Sequence, residues 1–455
     1  MATSTKTLKD AVCEAIDRGR DEVVGFAEDV FRHPELGFKE TRTAARVENV
    51  LRDLTLPYRS GLALTGVKGV ADTGRPGPGV ALMGELDSVL VSDHPFADPE
   101  TGAAHACGHP VQLAAMLGAG MGLVRSGVLG DLAGRLILFA VPAEEYVEVE
   151  YRLDLVRQGK IEFLSGKSEL VRLGETADVD LAMMVHSTPD PADRLSAIHA
   201  SSNGLVAKQV RFAGRAAHAG GAPWNGVNAL NAAHVALSAI HAQRETFRDE
   251  DSVRVHPILT KGGSLVNVVP DDVRLETYAR GKTAEAIRDA SAKVDRALRA
   301  GAVAVGCRVR IQTVPGYLPL RNDPALGALF KANMLRFIAA DDFVEGGHFG
   351  ASTDMGDVSH LLPALHPMIG GARGALHGTD YAVSDPVHSY LHSAKALAMS
   401  VVDLLAEGAR EARRIVAGFR PKMTVAEYLA YLRALSVVEE FDGASVGRVE
   451  GSVAR

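Results

Sequence analysis

The chain has 455 residues, 47% of them apolar and 23% charged, with a formal net charge of -7. At ~150 residues per domain that length gives two or three domains, and the proportions exclude a disordered or fibrous chain. The 49 Lys plus Arg against 56 Asp plus Glu leave no basic surplus for nucleic acid, and three cysteines are too few for a disulfide framework, which points to a reducing compartment.

Along the chain, the charged N-terminal stretch lacks the apolar centre of a signal peptide. Val12, Ile16, Val23, Val24, Phe26 and Val30 then recur at helical spacing. No run reaches the roughly 18 apolar residues of a membrane span, so a cytoplasmic protein without a membrane partner is expected. Short apolar runs follow, each ending in polar residues. Gly79–Met83 leads to Glu85 and Asp87, Arg135–Val141 to Glu144 and Glu145, Leu181–Val185 to His186, and His366–Ile369 to Gly370, Gly371 and, further on, His377. Such runs alternating with helical stretches predict an α/β domain, a mostly parallel sheet flanked by helices. Ligands sit beyond the carboxyl ends of strands in such sheets, where these polar residues fall.

From about Ser201 to Tyr317 the pattern changes. Leu205–Phe212, Val253–Leu259, Val273–Tyr278 and Val309–Val314 read as strands, and Val227–Arg244 and Ala284–Ala300 as helices. The order βαββαβ is that of a ferredoxin-like α+β domain, inserted between residues 1–200 and 318–455 of the larger one. Its short, apolar helices predict a pairing surface. The tail from about 405 carries a basic run (Arg410, Arg413, Arg414) and a helical pattern through Val425, Tyr428, Leu429 and Leu432. It is expected to be a solvated helical extension, with an oligomer contact as the alternative.

His105, Cys107 and His109 alternate in HACGHP, so an extended chain sends them the same way. Cys107 and His109 are expected at the end of an extended stretch, before a helix from Pro110 to about Val124. A thiolate and an imidazole at this spacing suit zinc or another transition metal; a structural pair is the alternative. Glu144 and Glu145 can divide metal binding from proton transfer, or can be a charged helix start. His186, alone, reads as a core histidine. The conjunction is what points to a metal site, since Cys107, His109, Glu145 and His186 all end apolar runs of one sheet. Gly118, Gly120 and Gly122 lie inside an apolar helical stretch and make no dinucleotide fingerprint. HExxH, Walker and GxSxG motifs are missing. The histidines His348, His360 and His388 read as structural.

These residues resemble the aminoacylase and carboxypeptidase-G-like metallopeptidases, peptidase family twenty, in its amidohydrolase branch. The likeness runs from RHPELGFKETRTA through HACGH, FAVPAEE, GRAAHAGGAP, GGSLVNVVPDDV and STDMGDVSH to LHGTDY. It implies a catalytic domain (1–200 and 318–455) interrupted by a dimerisation or lid domain (201–317). The implied metal ligands are Cys107, His109, Glu145, His186 and His377, holding one or two Mn, Zn or Co ions per subunit. The general base falls on Glu144. His218 is placed to steady an oxyanion in a partner subunit, and Asn267 and Arg280 to hold substrate polar groups. A homodimer or larger even homo-oligomer follows.

Two departures stand out. Pro110 replaces the usual Asp or Asn after CGH, and YVEVEYR replaces a glycine-rich stretch after PAEE. The latter resembles a sub-branch containing an aminohydrolase of 5-nitroanthranilate. The expected activity is therefore metal-dependent hydrolysis of a non-peptide C–N bond. An aromatic, carboxylate-bearing amine of the nitroanthranilate type, losing ammonia, comes first. The alternatives are hydrolysis of N-acyl or N-aroyl amino acids, and a catalytically silent binding protein of the same fold.

Overall fold

In the computed structural model, residues 4–446 are described, so the last part of the expected C-terminal extension lies outside the described residues. The chain divides into two units. The first comprises residues 1–201, 320–349 and 354–425; the second comprises 202–319, 350–353 and 426–455.

The first unit is built on a six-stranded sheet. Its order is Tyr58–Leu62, Gly66–Asp72, Arg135–Val141, Gly79–Glu85, Leu181–Met183, Ala364–Leu365. The last four strands run parallel, and Gly66–Asp72 is antiparallel to both of its neighbours, Tyr58–Leu62 and Arg135–Val141. Its central strands are apolar on both faces, as burial on both sides requires. Leu136, Leu138 and Ala140 enter one core with Val80 and Leu82, while Ile137, Phe139 and Val141 enter another with Ala81 and Met83. Helix His109–Arg125 is buried through Leu123. A methyl group on Gly120 would come within 2.4 Å of Leu138 Cδ1, and one on Gly122 within 2.5 Å of Ile16 Cγ1. Gly120 lets the helix approach the sheet closely, and Gly122 does the same for the N-terminal helix Thr5–Arg18.

The His366–Ile369 run differs from the expected strand of the main sheet. Ala364–Leu365 forms that sheet's edge, and Met368–Ile369 crosses into a second, four-stranded sheet with Phe343–Phe349, Ser196–Ser202 and His186–Ser187. His186 therefore begins a strand of the smaller sheet, three residues after Met183 ends its strand in the larger one.

In the second unit Gly204–Ala213, Asp272–Gly281 and Arg308–Pro315 are the antiparallel centre of a sheet. Helices Ala229–Ala242 and Ala284–Val305 share its core. Strand Asp272–Gly281 alternates buried and half-buried residues throughout, the signature of one covered face. The expected strand Val253–Leu259 is broken into Arg254–Val255 and Ile258–Lys261, because Pro257 between them has no N–H for the ladder. The tail is more than a helical extension. After helix Val425–Leu435, strand Val437–Asp442 pairs antiparallel with Arg308–Pro315, and the Glu439 carboxylate accepts from Nε and Nη2 of Arg299, each at 2.6 Å. Its largely exposed residues hide a strand from hydropathy. Among the described residues no helix is long and apolar enough to cross a membrane.

Candidate functional site

The site of the first unit lies where strands Gly79–Glu85 and Arg135–Val141 end. Cys107 and His109 come from the entry to helix His109–Arg125. The extended stretch expected there stops short: Gly108 is the N-cap at φ +89°, and His109 and Pro110 already form the first turn. The left-handed turn needs glycine. A side chain on Gly108 would meet Ser187 Cβ at 2.4 Å and Tyr381 Oη at 2.6 Å. Tyr381 donates to Ser187 Oγ at 2.8 Å, and His186 Nδ1 lies 2.7 Å from the Ser187 carbonyl. His186 thereby turns Nε2 toward Cys107 Sγ, 3.5 Å away.

The glutamate pair sits on a constrained loop. Ala143 has φ +52°, a cost held in place by surrounding bonds. Its N–H donates to Glu40 Oε1 at 2.8 Å, and its carbonyl accepts from Arg152 at 3.3 Å. Arg152, fully buried, also donates to the carbonyls of Leu164 (2.7 Å) and Glu145. The YVEVEYR segment thus begins helix Val149–Arg157 and clamps the backbone that carries Glu144 and Glu145. Asp87 accepts from the Glu145 N–H at 2.8 Å.

His377 arrives from a loop at φ +59°, its N–H bonded to the Ala106 carbonyl at 2.7 Å. Its Nε2 is 3.3 Å from Cys107 Sγ and 3.1 Å from Glu145 Oε1. On the other side His109 Nδ1 meets the Asp87 carbonyl at 2.8 Å, which leaves Nε2 facing Glu85 Oε2 (3.1 Å), Glu144 Oε2 (3.9 Å) and Glu145 Oε1 (4.0 Å).

Three overlapping triads result: Cys107–His109–His186, Cys107–Glu145–His377 and Glu85–His109–Glu144. Within each, donor atoms lie within 4.8 Å of one another. The structure thus brings together Cys107, His109, Glu145, His186, His377 and Glu144.

Charge is shared unevenly. Burial and the Glu145 carboxylate push the Cys107 thiol up, but His186 and His109 outweigh them and bring it down to about 6. Glu145 raises His377 to about 11 against the effect of burial, and His377 in turn lowers Glu145, against burial, to about 2. Glu144 goes the other way. Burial first, then the charges of Glu85, Glu145 and Asp354, hold its carboxyl well above the usual range. Two adjacent glutamates are driven apart, one toward the carboxylate and one toward the proton-bearing form, as acid–base chemistry requires. A low-pKa thiolate, imidazoles and carboxylates at this spacing fit a divalent transition metal. The buried His109 Nε2, without a hydrogen-bond partner, fits it too.

Several residues escaped the sequence-based site. Glu85 and Asp87 were visible as a polar strand end. Arg152 and Asp354 lie inside the strings YVEVEYR and STDMGDVSH without having been assigned to the site, and Lys167 gave no signal, since it begins a short helix whose pattern reads as ordinary surface.

The remaining expected residues lie in the second unit. His218 is exposed, and its Nδ1 accepts the N–H groups of Gly221 (2.8 Å) and Gly220 (3.2 Å), so the proton resides on Nε2. Asn267 is exposed, and its carbonyl accepts the Ala219 N–H at 2.9 Å. Arg280, half-buried, donates to Ser352 Oγ at 3.1 Å.

Comparison with known proteins fits both units. A profile of the peptidase dimerisation domain (M20_dimer) matches residues 200–305. The human Xaa-Arg dipeptidase is 30% identical over 339 residues, covering 69% of this chain and 70% of that protein. The chain belongs to the M20 peptidase family. Another relative, the N-acetyl-L-cysteine deacetylase of Bacillus subtilis, is 26% identical over 68% of this chain and 71% of its own length. Among solved structures, a dinuclear metal binding peptidase from the M20 family of Bacillus subtilis superposes with a TM-score of 0.62. It has 18% identity and covers 86% of this chain and 99% of that one; at that identity the likeness is one of fold.

Proposed function

We propose that this protein is a metal-dependent amidohydrolase that cleaves the amide of an N-acyl amino acid or a dipeptide-like substrate. The reading is carried by one observation: a thiolate, imidazoles and a carboxylate from separate elements face one point beside a second glutamate of raised pKa. Cys107, His109, Glu145, His186 and His377 would hold one or two divalent transition metal ions, Mn, Zn or Co. When bound, the metal supplies Lewis acidity toward a water and the scissile carbonyl. Glu144 takes the proton of the attacking water and delivers it to the leaving nitrogen.

The second unit is assigned to dimerisation, the first to catalysis. Trp224, Ile258, Leu259, Leu265 and Val266 are large apolar residues exposed on the second unit, and such exposure marks interaction surfaces. His218, with its proton on Nε2, is assigned to the oxyanion in the site of a partner subunit. Asn267 and Arg280 are assigned to the substrate's polar groups, the guanidinium suiting a carboxylate.

The names of the relatives, a dipeptidase and a deacetylase, support amide hydrolysis over the aromatic deamination expected first from YVEVEYR. Its Arg152 has a backbone-holding part that either chemistry could use. The test is a panel of N-acyl amino acids, dipeptides and 5-nitroanthranilate, scored for released amino acid against released ammonia. Amino acid release restored by Mn(II) after EDTA treatment is expected. Ammonia release from the aromatic amine alone would replace this reading with aryl deamination.

A further inference from the structure

The loop that carries the glutamate pair is gripped from both sides by buried groups of opposite character. Glu40, at the N-cap of helix Thr41–Asp53, and Arg152, on helix Val149–Arg157, are both completely buried. Among the described residues neither has an oppositely charged side chain within ion-pair distance. A buried charge without compensation is strongly destabilising, so something else must stabilise each of them. The loop backbone does so. The Ala143 N–H donates to Glu40 Oε1 at 2.8 Å, and the Ala143 carbonyl accepts from Arg152 Nη1 at 3.3 Å. The positive end of one peptide dipole thus meets the carboxyl group, and the negative end of the next meets the guanidinium.

The pattern repeats two residues on. The Glu145 N–H donates to Asp87 Oδ2 at 2.8 Å, and its carbonyl accepts from Arg152 Nη2. One guanidinium therefore spans both residues that flank Glu144, while acids from two other segments hold their N–H groups. The grip is itself braced. Thr65 Oγ1 donates to Glu40 Oε2 at 2.6 Å, the Leu164 carbonyl accepts from Arg152 at 2.7 Å, and the rings of Phe38 and Tyr146 lie 5.3 and 5.9 Å from the guanidinium. A methyl group on Gly37 would come within 2.3 Å of Arg152 Nη2, so backbone closes that side too. Ala143, at φ +52°, is held in an unfavourable conformation by these bonds. Beyond it the two glutamates part: Glu145 Oε1 reaches His377 Nε2 at 3.1 Å, and Glu144 Oε2 stands 3.9 Å from His109 Nε2.

We infer that Glu40 and Arg152 are positioning residues that aim Glu144, and that the YVEVEYR segment governs the rate of the chemical step and not the choice of substrate. This rests on the amidohydrolase reading above and adds to it the pair that places its proton carrier. Burial, then the charge of Asp87, raise Glu40 to about 7. What the Ala143 N–H needs from it is an acceptor oxygen, which a glutamine amide also offers.

The test measures kcat and KM of the Mn(II)-loaded, full-length protein on N-acyl amino acids, dipeptides and 5-nitroanthranilate, with Mn(II) affinity followed by isothermal titration. Arg152→Met removes the donors and keeps the length of the side chain. It is expected to lower kcat about 10²-fold, as a shift of about 1 Å at the reacting groups does. The factor should be the same for every substrate the wild type cleaves, with KM unchanged. Mn(II) affinity should fall about 10-fold, because Glu145 is loosened. Unchanged kinetics, or losses that differ from substrate to substrate, would overturn the inference. Glu40→Ala should repeat the loss in kcat and Glu40→Gln should recover most of it; equal losses in both would remove Glu40 from the grip. If Arg152→Met fails to fold, Gly37→Ala displaces the guanidinium without deleting it, and about a 10-fold loss in kcat is expected; full activity there would overturn the inference. A wild type that binds no Mn(II) and cleaves none of the substrates would overturn the amidohydrolase reading and this inference with it. An active wild type with indifferent variants would overturn the inference alone.

Discussion

The two sides of the site are built from similar residues and solve opposite problems. On the Cys107 side His377 is about half exposed, with 52% of its side chain open to solvent, and the donors meet mainly one another. On the Glu85 side every group is buried, and each oxygen of Glu85 and Asp354 is paired with lysine, glutamine or serine. The contrast teaches that a cluster of acidic residues does not by itself make a metal site. What matters is whether the donors are left for an incoming ion or already taken by the protein.

The contrast can be broken at several points. The largest effect is expected at Glu144, which lies between the two sides. Glu144→Gln should lower kcat by about 10³-fold while bound metal, counted by elemental analysis, stays unchanged. Loss of the metal in that variant would make Glu144 a ligand instead. His218→Ala should cost about 10²-fold in kcat. Mixing it with Glu144→Gln chains should recover part of the activity, because a mixed dimer has one intact composite site; no recovery would remove the shared-site assignment.

Further from the chemistry, Gln112→Ala should weaken metal affinity about 10-fold or more, by freeing Glu85 from its hold and loosening His109. Isothermal titration with Mn(II) measures it, and an unchanged affinity would uncouple the Glu85 side from metal binding.

A gentler probe needs no mutation. The Cys107 thiol is lowered to about 6, while burial raises Cys13 and takes Cys307 to about 11. A lowered thiol pKa means thiolate above that pH, so iodoacetamide should label Cys107 in the metal-free protein with a midpoint near pH 6. The other two cysteines should stay unreactive through neutrality. Metal should protect Cys107. The smallest effect belongs to the exposed pairs Arg410–Glu407 and Arg414–Glu411. Arg410→Ala should change stability by less than about 0.5 kcal/mol in a urea melt.

The same contrast explains how far the sequence could be read. The Cys107 side was legible because its residues end apolar runs or sit in a short, unusual string such as HACGHP. Local pattern is enough for that. The Glu85 side depends on Lys167 and Asp354, which approach from segments far apart in the chain, and nothing local distinguishes a lysine that will be buried from one on a solvated helix. The inserted unit followed its alternating pattern closely. Its fifth central-sheet neighbour, Val437–Asp442, was missed because an edge strand with polar residues on its open face lacks the hydrophobic period. His186 was assigned to the main sheet for a related reason: a chain that leaves one sheet and enters another within three residues shows a single apolar run.

The central claim is that Cys107 and its neighbours share a divalent cation. Cobalt tests it most directly, since a thiolate bound to Co(II) gives a near-ultraviolet charge-transfer absorption. The metal-free protein loaded with Co(II) should show that band, and Cys107→Ser should lose it. A cobalt spectrum without the band in the wild type, or one unchanged by Cys107→Ser, would contradict the account.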